Sequence, residues 1–408
     1  MRGMAGRLSW GLADQAVSSM TNFAVGIFVA RSLGVTAFGV FSLAWVTYGV
    51  VLNVSRGLGT DPLMVRYSGV PTGEWRAGVS RASGTAFAVG AAGGAVSVLF
   101  GLVVDGAIGE AFVALGIVLP ALLLQDAWRF AFFAAGAGKR AFLNDVVWAV
   151  ALVPALVLAA NDGTVVAFVL AWGLSGAVAA AFGTLQAGMV PGVGQVREWL
   201  AAQRDLGPRY LVENVSNSGG SQLRMYGLGA IVGLAGVGTV RGAELLMGPF
   251  LAILMGLSLV TVAEAARVLR RAPERLRRFC LLLGSGQAAA ALLWGLALLL
   301  MPDRFGEAVL GDVWAAASVL IVPAALGVMG ASVCSGAAAG LRALGAAKRS
   351  MSAQLISSVA YVGFGLAGAV LGGALGSAWG VALATWMGAA VWWWLLSTIE
   401  TPEKVEVS

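Results

Sequence analysis

The chain has 408 residues, of which 59% are hydrophobic and only 11% charged, with a net charge of +6 and no histidine. A soluble chain carries about 25% charged residues, so a water-soluble fold would have to hide more apolar surface than this composition can enclose. Without histidine there is no Ser–His or Cys–His catalysis, no imidazole metal ligand and no imidazole pH switch. The two cysteines, Cys280 and Cys334, lie in apolar runs and read as buried inert thiols. No cofactor and no metal site is implied.

A bilayer span needs about 20 mainly apolar residues. Twelve such runs succeed one another, at 10–30, 37–55, 83–104, 110–136, 144–160, 164–186, 209–234, 240–265, 278–301, 312–341, 351–371 and 377–398. The short connections leave no room for a soluble domain. The first run carries Asp14, Gln15, Ser18, Ser19 and Asn22. It is too polar and too long for a secretory h-region, so it reads as a retained span.

Basic residues orient the spans. Both termini and the even-numbered connections hold twenty Lys or Arg residues, from Arg2 and Arg7 through Arg56, Arg66 and the run Arg267–Arg278 to Lys404. The odd-numbered connections hold three, Arg31, Arg241 and Arg304. One span more or fewer would destroy this alternation. Both termini are therefore expected in the cytoplasm, in a multi-pass protein of the cytoplasmic membrane. The positive charge is an orientation signal and implies no nucleic acid. Trp10, Trp75, Trp172, Trp314 and Trp392–Trp394 fall near span ends, as interfacial belts do; Trp45, Trp128, Trp148, Trp294 and Trp386 read as packing residues.

The two halves repeat one another. Asp14–Ser19 resembles Glu213–Ser218, and Ile117–Ala121 resembles Leu320–Ala324. Leu33–Thr36 and Gly236–Thr239 match, as do Gly136–Arg140 and Gly345–Arg349. Six spans per half is an even number, so the halves enter the membrane in the same sense. The expected fold is an all-α integral membrane protein, with twelve helices in two parallel-related six-helix lobes around a central cavity. The lobes would be 1–190 and 209–398, joined by a cytoplasmic linker at 191–208 and followed by a cytoplasmic tail at 399–408. Within the linker, Val196, Trp199, Leu200 and Leu206 alternate with charges, as in a short amphipathic surface helix or a plain polar connection.

Charges at membrane depth are costly, at about 2.5–3.5 kcal/mol each on insertion scales. Asp14, Ser18 and Asn22 recur every four residues on one helical face; Glu213, Asn217, Ser221 and Arg224 make the matching stripe in the seventh span. Such stripes line a cavity or glue neighbouring helices; a mid-span arginine suits the cavity better. Asp126 and Arg129, three apart, could neutralise each other. Asp145 is expected to bond Lys139 or Arg140 or to cap its helix, and Glu264 to pair with Arg267 or Arg270. Glu244 is a candidate proton or cation site. The run Arg267–Arg278 reads as an anchor on anionic lipid, with a head-group-recruiting role as its alternative. Small-residue pairs such as Gly90/Gly94 and Gly372/Gly376 suit close helix packing.

The opening from Gly11 to Phe41, with its polar first span and the turn Ala30-Arg-Ser-Leu-Gly-Val-Thr-Ala-Phe-Gly39, resembles polysaccharide flippases (Wzx-like O-antigen and exopolysaccharide transporters) of the multidrug/oligosaccharidyl-lipid/polysaccharide exporter superfamily. Gln125–Phe130, followed by Gly136–Arg140 and Asn144-Asp145, is similar to that family's fourth-to-fifth span connection. The resemblance implies a transporter of lipid-diphosphate-linked glycans working by alternating access, with a cavity lined by spans 1, 2, 7 and 8. Its partners would be membrane lipids, a polysaccharide polymerase and glycosyltransferases of the same pathway. Arginine grips phosphate oxygens in a fork, so Arg224, Arg129 and Arg66 are the expected diphosphate ligands. Asp14, Gln15, Asn22, Glu213, Asn217 and Gln222 would meet sugar hydroxyls, with Asp14, Glu213 and Glu244 as candidates for ion coupling. Two features depart from relatives: the carboxylate cluster of the drug/sodium branch has only Asp14 as a stand-in, and lipid II flippases usually have extra C-terminal spans and several cavity arginines, where twelve spans with few such arginines are expected here. The alternative is an H⁺- or Na⁺-coupled exporter of drugs or metabolites. An enzyme is not expected, because the short outer loops leave no acidic catalytic loop and there is no histidine for acyl transfer.

Overall fold

The computed structural model describes the backbone of residues 2–399, where every regular element is helical. The side chains of Arg2, Arg7 and Asn217, the residue Lys404 and the tail from 400 onward lie outside the described residues. Among the described residues eight helices are long and apolar enough to cross a bilayer, and the protein is a multi-pass membrane protein.

The first two expected spans form one bent helix, α1 (Arg2–Ser55). Its bend is at Gly34, with φ 72° and ψ 173°, a conformation that a side chain would strain. The helix does not stop at Ser55. A π-helical turn, Arg56–Thr60, carries it into α2 (Asp61–Tyr67). Pro62 stands at the start of α2, just after the π-helical turn, and has no N–H to donate back into it. Arg56 therefore lies on a helix, contrary to its expected place in a loop. The pattern Leu58, Leu63, Met64 continues the apolar face across the turn, so nothing forces the chain out of helix.

The chain divides into two compact units, Met1–Gln222 and Leu223–Ser408. The division falls inside α8 (Gly207–Val232). In the first unit, α3 (Thr72–Val103) packs along α4 (Gly106–Ala134). Gly90 and Gly94 press against the backbone of Pro120 and Gly116, so the small pair serves close approach as expected. Trp75 donates its indole N–H to Ala131 O at 3.1 Å. Next come α5 (Gly138–Asp162) and α6 (Val165–Ala187), the latter capped by Thr164, whose hydroxyl accepts from Ala167 N. Leu63, Val79, Trp128 and Phe132 form a core at one end of this unit.

The linker contains a helix, α7 (Val196–Ala202), which docks on protein through Trp199. Trp199 is fully buried, donates to Leu58 O at 2.9 Å and packs beside Tyr67. Arg66 bonds Ala202 O, Gln203 Oε1 and both oxygens of Asp205. Desolvation works against it, but backbone hydrogen bonds and the Arg66 guanidinium hold the Asp205 carboxyl below its usual range.

The second unit continues through α9 (Leu234–Arg271), α10 (Leu276–Leu299), α11 (Asp303–Leu310), α12 (Val313–Ser318), α13 (Ile321–Ala343) and α14 (Ala347–Ser397). The expected span 312–341 is thus two elements, because the helix breaks between Ser318 and Ile321. Spans eleven and twelve are one helix, α14, bent at Gly372 and Gly373, where φ is 61° at the second. Gly368 lies against the Gly376 backbone, so the two arms touch where no side chain intervenes. Among the tryptophans expected near span ends, Trp172 is buried beneath Trp45, and Trp392 lies in the core.

A methyl at Gly94 would overlap the Gly116 carbonyl, whereas one at Gly73 on the same helix meets open space. Gly94→Ala should cost about 1–3 kcal/mol. Gly73→Ala should be neutral or stabilising by a few tenths of a kcal/mol. Thermal unfolding of both variants in one detergent checks the pair.

Candidate functional site: two buried charge networks

The first unit holds a network of five charged side chains. Asp14, fully buried on α1, accepts from Arg129 of α4 at 2.6 and 2.7 Å. Arg129 also lies 3.3 Å from Asp145 of α5. One guanidinium thereby joins three helices. Gln125, one turn before Arg129, donates to Asp145 at 2.9 Å and to Asn144 at 3.1 Å. Asn144 donates on to Ala179 O of α6. Asp126 turns the other way and takes a two-pronged bond from Arg56, at 2.7 and 3.0 Å.

These bonds replace two expected pairings. Asp126 and Arg129 do not neutralise each other, because each long arginine reaches a carboxylate on another helix. Asp145 bonds neither Lys139 nor Arg140. Helix α5 begins at Gly138, so Asp145 is two turns inside and past any capping position. Three carboxylates (Asp14, Asp126, Asp145) face two guanidinium groups (Arg56, Arg129), a formal charge of 2 − 3 = −1. Among the described residues, Asp14 Oδ1 and Asp145 Oδ2 have no hydrogen-bond donor.

Beside Asp145 lies a small pocket lined by Ser18, Thr21, Asn22, Trp148 and Trp172. The sequence stripe thus splits in function. Asp14 is spent on Arg129, while Ser18 and Asn22 open to the pocket. The Trp172 indole N–H has no acceptor among the described residues. Further along α1 and into α2, Asn53, Gly57 and Asp61 recur every four residues and meet the first turns of α8. Asn53 donates to Ser218 and Asn214 donates to Asp61, both at 2.6 Å. Between them, Gly57 lets the Leu211 backbone approach to where a Cβ would sit.

The second unit has its own network. Arg224 of α8 is buried, with 3% of its side chain exposed. It donates to Glu244 of α9 at 2.7 Å and lies over the Tyr361 ring of α14, 5.1 Å from its centre. Arg241 donates to the other oxygen of Glu244 at 3.0 Å. Two guanidinium groups share one carboxylate, a formal charge of 2 − 1 = +1. Gly365 makes room for the Arg224 side chain, because a methyl there would crowd its Cδ at 2.8 Å.

The other expected site residues are spread out. Arg66 is occupied by the linker. Gln15 is exposed and donates to Ser19. Glu213 is exposed and makes no hydrogen bond or ion pair among the described residues. Gln222 packs its amide on Gly49. Glu264 pairs with Arg267, as expected. Sequence reasoning missed Arg56, Asn53, Asp61, Gln125 and Tyr361. The four-residue spacing Asn53–Gly57–Asp61 was a usable signal; Tyr361, a lone aromatic in an apolar helix, offered none.

Among the described residues no group of acidic or cysteine side chains could hold a metal ion. The described residues form long helices, two of them bent at glycine, with one charge network in each unit. Neither a family model nor a curated protein matches the chain by sequence. Solved structures do match in shape. An inward-facing multidrug resistance MATE family transporter of the MOP superfamily aligns at 16% identity, over 93% of each chain, with a TM-score of 0.63. The lipid II flippase MurJ, in an inward closed conformation, aligns at 11% identity over 96% of this chain and 88% of its own, with a TM-score of 0.70. A MOP superfamily transporter from Pyrococcus furiosus, described as having a binding pocket of reverse polarity, aligns at 17% identity over 95% and 94%, with a TM-score of 0.51. The chain has the fold that these MOP superfamily transporters share.

Arg129→Met would strand two buried carboxylates. The expected cost is about 3–5 kcal/mol, as for other broken buried pairs. The double variant Arg129→Met/Asp14→Asn should recover part of that loss. A double-mutant cycle by thermal unfolding in detergent measures the coupling.

Proposed function

We propose that the chain translocates a lipid-diphosphate-linked oligosaccharide across the cytoplasmic membrane by alternating access, in twelve spans with both termini in the cytoplasm. It would serve cell-surface or exopolysaccharide synthesis, alongside a polymerase and glycosyltransferases. The observation that carries this reading is the buried Arg224, set with Arg241 around a single carboxylate. A diphosphate needs more cation than anion at its site, and this network has one positive charge to spare. A hydroxyl-rich head group needs donors and acceptors in place of water. Asn22, Ser18 and Thr21 beside the Asp145 pocket offer both. The lipid chain would stay in the bilayer.

The test is Arg224→Ala. Glu244 keeps Arg241 as its partner in this variant, so the protein should accumulate to its normal level. Export of the lipid-linked glycan, followed as surface polysaccharide in cells, should be abolished. Arg224→Lys keeps the charge but not the fork and should export at a reduced rate. Normal export by Arg224→Ala would overturn the assignment.

A second reading, an H⁺- or Na⁺-coupled exporter of drugs or metabolites, is favoured by the unmatched negative charge around Asp14 and Asp145. It predicts efflux that collapses with the ion gradient and is lost in Asp14→Asn. The flippase reading predicts that proteoliposomes move lipid-linked glycan with both gradients dissipated.

A further inference from the structure

The end of the second unit where α9 meets α10 carries six arginines between Arg267 and Arg278, all exposed. Two of them have structural work. Arg267 pairs with Glu264, and Arg277 donates to Ser397 O and Ile399 O at the end of α14. The neighbouring Arg349 likewise bonds Leu395 O and Thr398. Among the described residues, the side chains of Arg270, Arg271, Arg275 and Arg278 make no hydrogen bond or ion pair. Ala265, Leu276, Leu341, Ala353 and Leu396 share one buried cluster, so the ends of α9, α10, α13 and α14 converge here.

Two cations at this end precede an exposed aliphatic stripe along their own helices. Arg278 shares a face with Leu281 and Leu282, three and four residues on, which are 55% and 63% exposed. On α14, Lys348 is succeeded by exposed Met351, Leu355 and Val359 at the same helical spacing. Each stripe presents a cation first and an aliphatic rail after it. That is the shape of an amphiphile with an anionic head, and arginine is the side chain that binds phosphate oxygens in pairs.

We propose that this end of the second unit is a binding site for anionic phospholipids of the leaflet it faces. Arg271, Arg275 and Arg278 hold the phosphodiester head, and an acyl chain runs along Leu281 and Leu282. Clustered basic residues at a helix end bind anionic lipid in this way. The site is separate from the Arg224 network, so its fate does not depend on what the protein transports.

The full chain, purified in detergent, would be titrated with phosphatidylglycerol, with phosphatidylcholine of the same acyl chains, and with a prenyl diphosphate, and bound lipid counted by native mass spectrometry. Phosphatidylglycerol should be retained about tenfold over phosphatidylcholine. Arg271→Gln/Arg275→Gln/Arg278→Gln should remove that preference, while Arg304→Gln, at the Phe305 ring away from this cluster, should leave it intact. Raising the salt should weaken the preference in the unaltered protein, which keeps the test valid should the triple variant misfold. Equal retention of the two phospholipids would overturn the proposal, and so would a preference that survives the triple substitution or high salt. Retention of prenyl diphosphate where phosphatidylglycerol does not bind would assign the cluster to a transported lipid instead.

Discussion

A guanidinium held away from water must be matched within the protein, and Arg129 is matched by carboxylates from two other helices. That requirement organises the first unit. Asp14 sets the rotation of α1, Asp145 that of α5, and Gln125 ties the same knot to α6 through Asn144. Burying such charges costs more than burying leucines of equal size, so the network is weak grounds for stability and better grounds for function. Its arms also leave two carboxylate oxygens without hydrogen-bond donors among the described residues, and Asp145 lies beside the Trp148–Trp172 pocket.

The second unit solves the same problem with the opposite sign. Arg224 and Arg241 share Glu244, and Tyr361 gives the Arg224 cation an aromatic face. The two networks thus carry formal charges of opposite sign.

Much of this was legible in the residues. Asp14, Asp126, Arg129, Asp145, Glu244 and Arg224 stand out because charge at membrane depth is expensive and few sequences carry it without cause. Their partners were not legible. Sequence spacing favours neighbours on one helix, such as Asp126 and Arg129, whereas a long side chain in a bundle can reach the next helix as easily. Arg56 was hidden by the π-helical turn, since a basic residue after an apolar run reads as the end of a span. The docking of Trp199 was hidden because an amphipathic helix looks the same whether it faces lipid or protein.

The sequence by itself determined the all-helical membrane character and the run of apolar segments. Those follow from composition and local periodicity, which need no knowledge of neighbours. Only the tertiary structure decided that glycine bends replace two expected loops, that α1 continues to Tyr67, and which carboxylate each arginine holds. Those outcomes depend on distances between helices, and no pattern along a single chain encodes a distance across a bundle.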